Sequence, residues 1–146
     1  MANTYHKVYL QTIFAVKYRR AVIHKDWKPR LFQVLGNLIK ENECKPILIN
    51  GMEDHVHCLL GLTPKISISN LLQSVKSKSS KFINETNLTP ARFEWQSGYS
   101  VFSYSRADLD RVSAYVANQE EHHKTKTFRE EYIELLKEFV IEFDEQ

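Results

Sequence analysis

The stretch Asn50-Gly51-Met52-Glu53-Asp54-His55-Val56-His57-Cys58-Leu59-Leu60 decides how the rest of the chain is read. The β-branched and leucine-rich run Ile47-Leu48-Ile49 precedes it, so Lys45 to Met52 reads as a strand. Gly51-Met52-Glu53-Asp54 is a turn, and His55 to Leu62 is a second strand closed by Thr63-Pro64. Two strands joined so tightly must run antiparallel. Alternation then puts His55 and His57 on one face, about 6–7 Å apart along the strand. Val56, Cys58 and Leu60 fall on the other face, toward a core.

Outward from this hairpin, Val8 to Val16 is a strand whose even positions Val8, Leu10, Phe14 and Val16 are apolar. The basic cluster Lys17-Tyr18-Arg19-Arg20 follows it. From Asp26, a candidate N-cap, to Glu41 the residues Trp27, Leu31, Val34, Leu35, Leu38 and Ile39 recur at helical spacing. A second helix starts near Ser67 or Ser69, with Leu71, Leu72, Val75, Phe82 and Ile83 on its apolar side, and Pro90 ends the connection after it. Phe93 to Ser105 alternates irregularly around Gly98 and predicts one or two short strands. Asp108 to His123 predicts a third helix with Leu109, Val112 and Val116 inward. Phe128 to Phe143 predicts a fourth, amphipathic through Tyr132, Leu135, Leu136, Phe139 and Val140. Strand-helix-strand-strand-helix-strand is the split βαβ, ferredoxin-like order. The expected class is α+β: an antiparallel sheet with helices on one face and further C-terminal helices appended.

The 146 residues carry 42% hydrophobic and 26% charged side chains, enough for a core and too apolar for a disordered chain. One domain over residues 1–146 is expected, since a core usually serves about 100–200 residues. A net charge of +2 leaves any nucleic-acid affinity to local clusters. Cys44 and Cys58 form no C-x-x-C pair, the N-terminus lacks the pattern of a secretion signal, and no apolar run approaches the roughly 20 residues of a membrane span. A reducing cytoplasm is the expected setting.

Three groups carry potential chemistry. His55 and His57 can converge on one metal ion, or be surface or core histidines satisfied by hydrogen bonds. Asp54 beside them either orients an imidazole or serves the turn. Tyr115 and Gln119 lie at i and i+4 on the predicted third helix and share its face. A phenol near a cation and an amide ligand can act as a nucleophile; otherwise the pair is a boundary aromatic and a solvated amide. Lys76, Lys78 and Lys81, interleaved with Ser74, Ser77, Ser79 and Ser80, either bind phosphates or form a solvated face. Phe93, Trp95, Tyr99, Phe102 and Tyr104 are base-stacking platforms or core. Cys58 faces away from the histidines, which argues against a shared zinc site. Glu120, Glu121, His122 and His123 read as a helix end stabilised by its histidines.

The His-hydrophobe-His run resembles the motif of the HUH single-strand endonucleases. With Trp95 to Ser103, Tyr115 to Gln119 and Glu121-His122-His123 in order, the chain resembles the single-tyrosine transposases of insertion-sequence-200-like elements from about Tyr5 to Phe143. Cys58 stands where an aliphatic residue is more usual. The resemblance implies His55, His57 and Gln119 as ligands of Mg2+ or Mn2+, and Tyr115 as the nucleophile. It implies cleavage and rejoining of single-stranded DNA at hairpins near element ends, through a 5′-phosphotyrosine link. It further implies a homodimer in which Tyr115 often meets the partner's histidine pair. Under it, Lys17, Arg19, Arg20, Lys76, Lys78 and Lys81 become candidate DNA contacts. The rival readings are a non-catalytic single-stranded nucleic-acid binding module, a domesticated relative with the same chemistry, and a zinc hydrolase.

Overall fold

The hairpin forms where the sequence places it. In a computed structural model describing residues 5–141, β2 (Lys45–Gly51) and β3 (His55–Gly61) pair antiparallel, with Asn50 opposite His57 and Gly51 opposite Val56. A Cβ on Gly51 would lie 2.3 Å from the His55 carbonyl oxygen and 2.9 Å from Val56 Cα. Only glycine lets the two backbones approach this closely. β1 (Tyr9–Ala15) lies on the other side of β3, with Ile13 opposite His57, and β4 (Ser100–Tyr104) pairs with β1. The sheet order is β2-β3-β1-β4, every neighbour antiparallel, which is the ferredoxin-like arrangement.

Alternation along β1 and β3 sorts the side chains onto two faces. Leu10, Phe14, Val56, Cys58 and Leu60 enter the main core beneath α1 (Lys28–Glu41) and α2 (Ile68–Glu85). The appended helices α3 (Leu109–Ala117), α4 (Gln119–His122) and α5 (Phe128–Glu138) cover the opposite face. There Leu59 packs with Val112 and Val116, while Ile13 and Phe102 pack with Phe128, Leu135 and Leu136. The histidines therefore lie in an interior between sheet and helices, not on an open sheet surface.

Several local expectations are narrowed or changed. Asp26 does not cap α1; Trp27 holds the N-cap position without a side-chain bond, and Pro29 in the first turn supplies the helical φ. Ser67, not Ser69, caps α2 by accepting from Asn70 N at 3.1 Å. Phe93 to Ser105 yields one strand, with Trp95 joined to Val16 by an isolated bridge. Phe93, Trp95 and Phe102 are buried, so they are core and not stacking platforms; Tyr99 is exposed and Tyr104 half-buried. The single helix expected over 108–123 is broken at Asn118 (φ −96°, ψ 28°) into α3 and α4. α5 is capped by a reciprocal Thr127–Glu130 box and ends at Glu138; Val140 is exposed with φ 55°, and Phe143 lies outside the described residues. Among the described residues, no helix is long and apolar enough to cross a membrane.

Candidate active site

His55 and His57 are completely buried, on the face away from the main core. Each ring is aimed by its Nδ1 atom. His55 Nδ1 meets Asp54 Oδ1 at 2.7 Å, and His57 Nδ1 meets Gln11 Oε1 at 2.6 Å. Gln11 spends its amide Nε2–H on Tyr104 Oη at 2.8 Å, so its Oε1 is the end that accepts from His57. Both Nδ1 atoms therefore carry hydrogen and both Nε2 atoms turn inward. That is the tautomer a metal-ligating imidazole needs.

Asn50, opposite His57 in the hairpin, donates through Nδ2 to the carbonyls of Val116 (3.0 Å) and Ala117 (3.1 Å). Those carbonyls are the unpaired end of α3, so the bond pins that end beside the histidines. The chain then breaks at Asn118, which re-aims Gln119 toward His55, its Oε1 3.2 Å from Nε2. Tyr115 comes in from α3, its ring centroid 6.1 Å from that of His57. The residues singled out by spacing do meet, and they meet within one chain. Tyr115 and Gln119 reach the site from either side of a break where a continuous helix was expected.

At the centre stands Glu131 of α5, which pattern reading missed. It is 2% exposed. Its Oε1 lies 3.1 Å from His57 Nε2, 3.5 Å from His55 Nε2 and 3.3 Å from His123 Nε2. Its Oε2 accepts hydrogen bonds from the Tyr115 hydroxyl and from Gln119 Nε2, the latter at 3.0 Å. One signal was available: Glu131 falls inside the stripe Phe128, Tyr132, Leu135, Leu136, where a carboxylate is costly unless paired. His123, the C-cap of α4, also turns its ring into the site; its Nδ1 is 2.9 Å from the Lys126 carbonyl and its ring 4.9 Å from that of His55.

Burial and charge oppose each other here. Burial lowers the His55 pKa, but the carboxylates of Asp54 and Glu131 outweigh it and raise it overall. Burial dominates at His57 and pulls it down to about 4. Burial raises Glu131, yet hydrogen bonds from His55 and His57 hold it well below the usual carboxylate range. Burial and the neighbouring Glu131 carboxylate push the Tyr115 phenol above its ordinary value. His57 Nε2 and Glu131 Oε1 face each other 3.1 Å apart, and a cation between them would engage both. One ligand atom each from His55, His57 and Glu131 lie within 4.8 Å of one another. This donor set fits a divalent cation, with Gln119 Oε1 as a further oxygen.

The basic candidates divide. Lys76 Nζ donates to the carbonyls of Gln96 (2.8 Å) and Gly98 (2.6 Å), bracing that loop, and burial lowers its pKa. Lys78 and Lys81 stand beside Glu41 and Glu85 on the surface, and Lys17 pairs with Glu94 at 2.9 Å. Arg20 lies over the Tyr18 ring. Arg19 reaches the wall of the site: its guanidinium sits 5.3 Å from the Phe128 ring centre, and Phe128 stacks on His55 at 3.8 Å.

With that geometry in place, residues 4–119 match the family described as "Transposase IS200 like". The chain belongs to the IS200-like transposase family. This transposase is 26% identical over 112 residues to the ISDra2 transposase TnpA of Deinococcus radiodurans, covering 73% of the chain and 80% of that protein. It is 25% identical over 130 residues to the transposase for insertion sequence element IS200 of Salmonella typhimurium, covering 85% and 84%. Two solved structures share its fold. A chain described as a transposase from Deinococcus radiodurans superposes with a TM-score of 0.66 at 24% identity, covering 82% of this transposase and 95% of that chain. A REP-associated tyrosine transposase bound to a REP hairpin gives 0.63 at 13% identity, covering 84% and 73%. The matched segment ends at Gln119, so α5 and Glu131 lie beyond it.

Proposed function

We propose that this IS200-like transposase cuts and rejoins single-stranded DNA, with Tyr115 as its nucleophile. The observation that carries the reading is the convergence of the Tyr115 hydroxyl and the aimed His55–His57 pair on one carboxylate, Glu131. His55 and His57 would hold a divalent cation, Mg2+ or Mn2+, with Gln119 as the third protein donor; bound there, it would supply Lewis-acid polarisation of a phosphate oxygen. Asp54 and Gln11 keep the two imidazoles in register for that task. Tyr115 Oη attacks phosphorus, the P–O3′ bond breaks, and the 3′ oxygen leaves with a proton while the phenol gives one up. The phosphodiester survives as a 5′-phosphotyrosine link. A different 3′-OH can then reverse the step and join new DNA, without ATP.

The REP hairpin bound by one structural relative supports a hairpin in single-stranded DNA as the element end recognised. Arg19, at the wall of the site, is the basic residue best placed to meet the strand, and Lys17, Arg20, Lys78 and Lys81 would extend the path. Tyr115 already meets its own chain's histidines, so a homodimer, if formed, need not exchange this residue to complete a site.

Tyr115→Phe should keep the fold and hairpin binding and lose the covalent adduct by at least about a thousandfold, since no other positioned oxygen replaces the phenol. The check is a denaturing gel after incubation with hairpin-bearing single-stranded element ends and Mn2+. Adduct formation by the variant would remove Tyr115 from its role. Binding with no adduct even in the parent chain would make the protein a binding module.

A further inference from the structure

The site is sealed. His55, His57 and Gln119 are 0% exposed and Glu131 is 2% exposed. Phe128 lies flat on His55, its ring centre 3.8 Å away. A DNA strand cannot bring a phosphate to the His55–His57 side of the site through this cover, so the conformation described is one that substrate must displace.

What occupies the centre shows how. A scissile phosphate in this site must offer oxygen to the cation side, where the two Nε2 atoms converge, and must lie against Tyr115 Oη. Glu131 satisfies both requirements at once. Its Oε1 faces His57 and His55 at 3.1 and 3.5 Å, and its Oε2 takes the Tyr115 hydrogen bond. Carboxylate and phosphodiester are both anions that present two oxygens from one atom, so they compete for the same donors. The helix bearing Glu131 is mounted separately from the main core. It rests on the sheet through Phe128, Leu135 and Leu136 against Ile13 and Phe102, a cluster distinct from the one beneath α1 and α2. Small satellite clusters of this kind open at lower free energy than the main core.

We infer that Glu131 is an internal stand-in for the scissile phosphate, and that α5 is a lid holding the resting site closed until single-stranded DNA takes its place. The inference rests on the strand-transfer reading for the identity of the competitor, and on burial and geometry for the lid itself. In the closed state Glu131 occupies the nucleophile's hydrogen bond. In the open state His55, His57 and Gln119 remain on the sheet and α4 to hold the cation.

The test uses the whole chain, Glu131→Ala, and Leu136→Ala, which loosens the seat of α5 and leaves the carboxylate in place. Carbethoxylation by diethylpyrocarbonate, followed residue by residue by mass spectrometry, reports access to His55 and His57 against the exposed His24. In the parent chain the pair should react at least about tenfold more slowly than His24, and both variants should remove most of that protection. With a hairpin-bearing single-stranded oligonucleotide and Mn2+, Glu131→Ala should form the Tyr115 adduct about tenfold faster than the parent, and its Mn2+ affinity by calorimetry should stay within about threefold. A histidine pair as reactive as His24 in the parent chain overturns the lid. So does a Glu131→Ala variant that loses Mn2+ affinity and adduct together, since Glu131 would then be an obligatory ligand. No adduct in any variant, with footprints that still open, would count against strand transfer and for the lid.

Discussion

Gln11 does for His57 what Asp54 does for His55, yet only one of these partners was readable from neighbouring residues. Asp54 adjoins His55 in the chain, and its 2.7 Å bond to Nδ1 realises one of the two roles open to it, orienting the imidazole. Gln11 stands on β1, 46 positions before His57, and nothing in its own surroundings marks it as polar support. Its role depends on β1 pairing with β3, and on Tyr104 turning the amide. Gln11→Leu should leave the fold intact and weaken Mn2+ binding about 10–100-fold, the usual effect of losing such a partner. Titration calorimetry would show it, and an unchanged affinity would free His57 from that support. Glu131 was hidden for a related reason: a carboxylate in an amphipathic stripe gives no sign of what lies across from it. The lysines show what spacing leaves open. Lys76 has the spacing of a phosphate contact, but its ammonium is committed to Gln96 and Gly98.

Among the elements, the hairpin carries the most. Gly51 admits close contact between β2 and β3, and its neighbour Asn50 anchors the end of α3. Gly51→Ala would force the His55 carbonyl and Val56 Cα away, costing about 2–3 kcal/mol by overpacking. A urea titration should show the lower midpoint, and Mn2+ binding should fall with it because His55 moves. Retained stability would mean the strands can separate there without loss. The β-rich run and the turn made this hairpin legible, since local preference and tertiary pairing agree in it. The third helix was less legible. Its apolar positions Leu109, Val112 and Val116 continue smoothly in register, and the break at Asn118 has no proline or glycine to announce it. The pull of Asn50 on the last carbonyls comes from another element altogether.

Over the whole molecule, one sheet serves two interiors: a large apolar core under α1 and α2, and a polar, histidine-lined one under the C-terminal helices. Cys58 belongs to the first. Burial pushes its thiol from 9.0 up to about 12. A folded pKa above the unfolded one means the native state keeps its proton while the unfolded chain loses it. The associated stability is therefore complete below about pH 9 and lost as pH rises toward 12. Denaturant midpoints followed from pH 8 upward should fall less steeply for Cys58→Ala than for the parent chain. Parallel slopes would mean that the thiol does not ionise differently in the two states.

The order of strands and helices, the inward face of β3 and the His-Val-His pair were set by alternation and helical spacing, which act between near neighbours and leave their mark in the chain. The closing of the second face, the break that aims Gln119, the bond from Gln11 and the arrival of Glu131 were decided in three dimensions. Each joins side chains from different elements, and a one-dimensional pattern holds no distance between such elements until the sheet has paired.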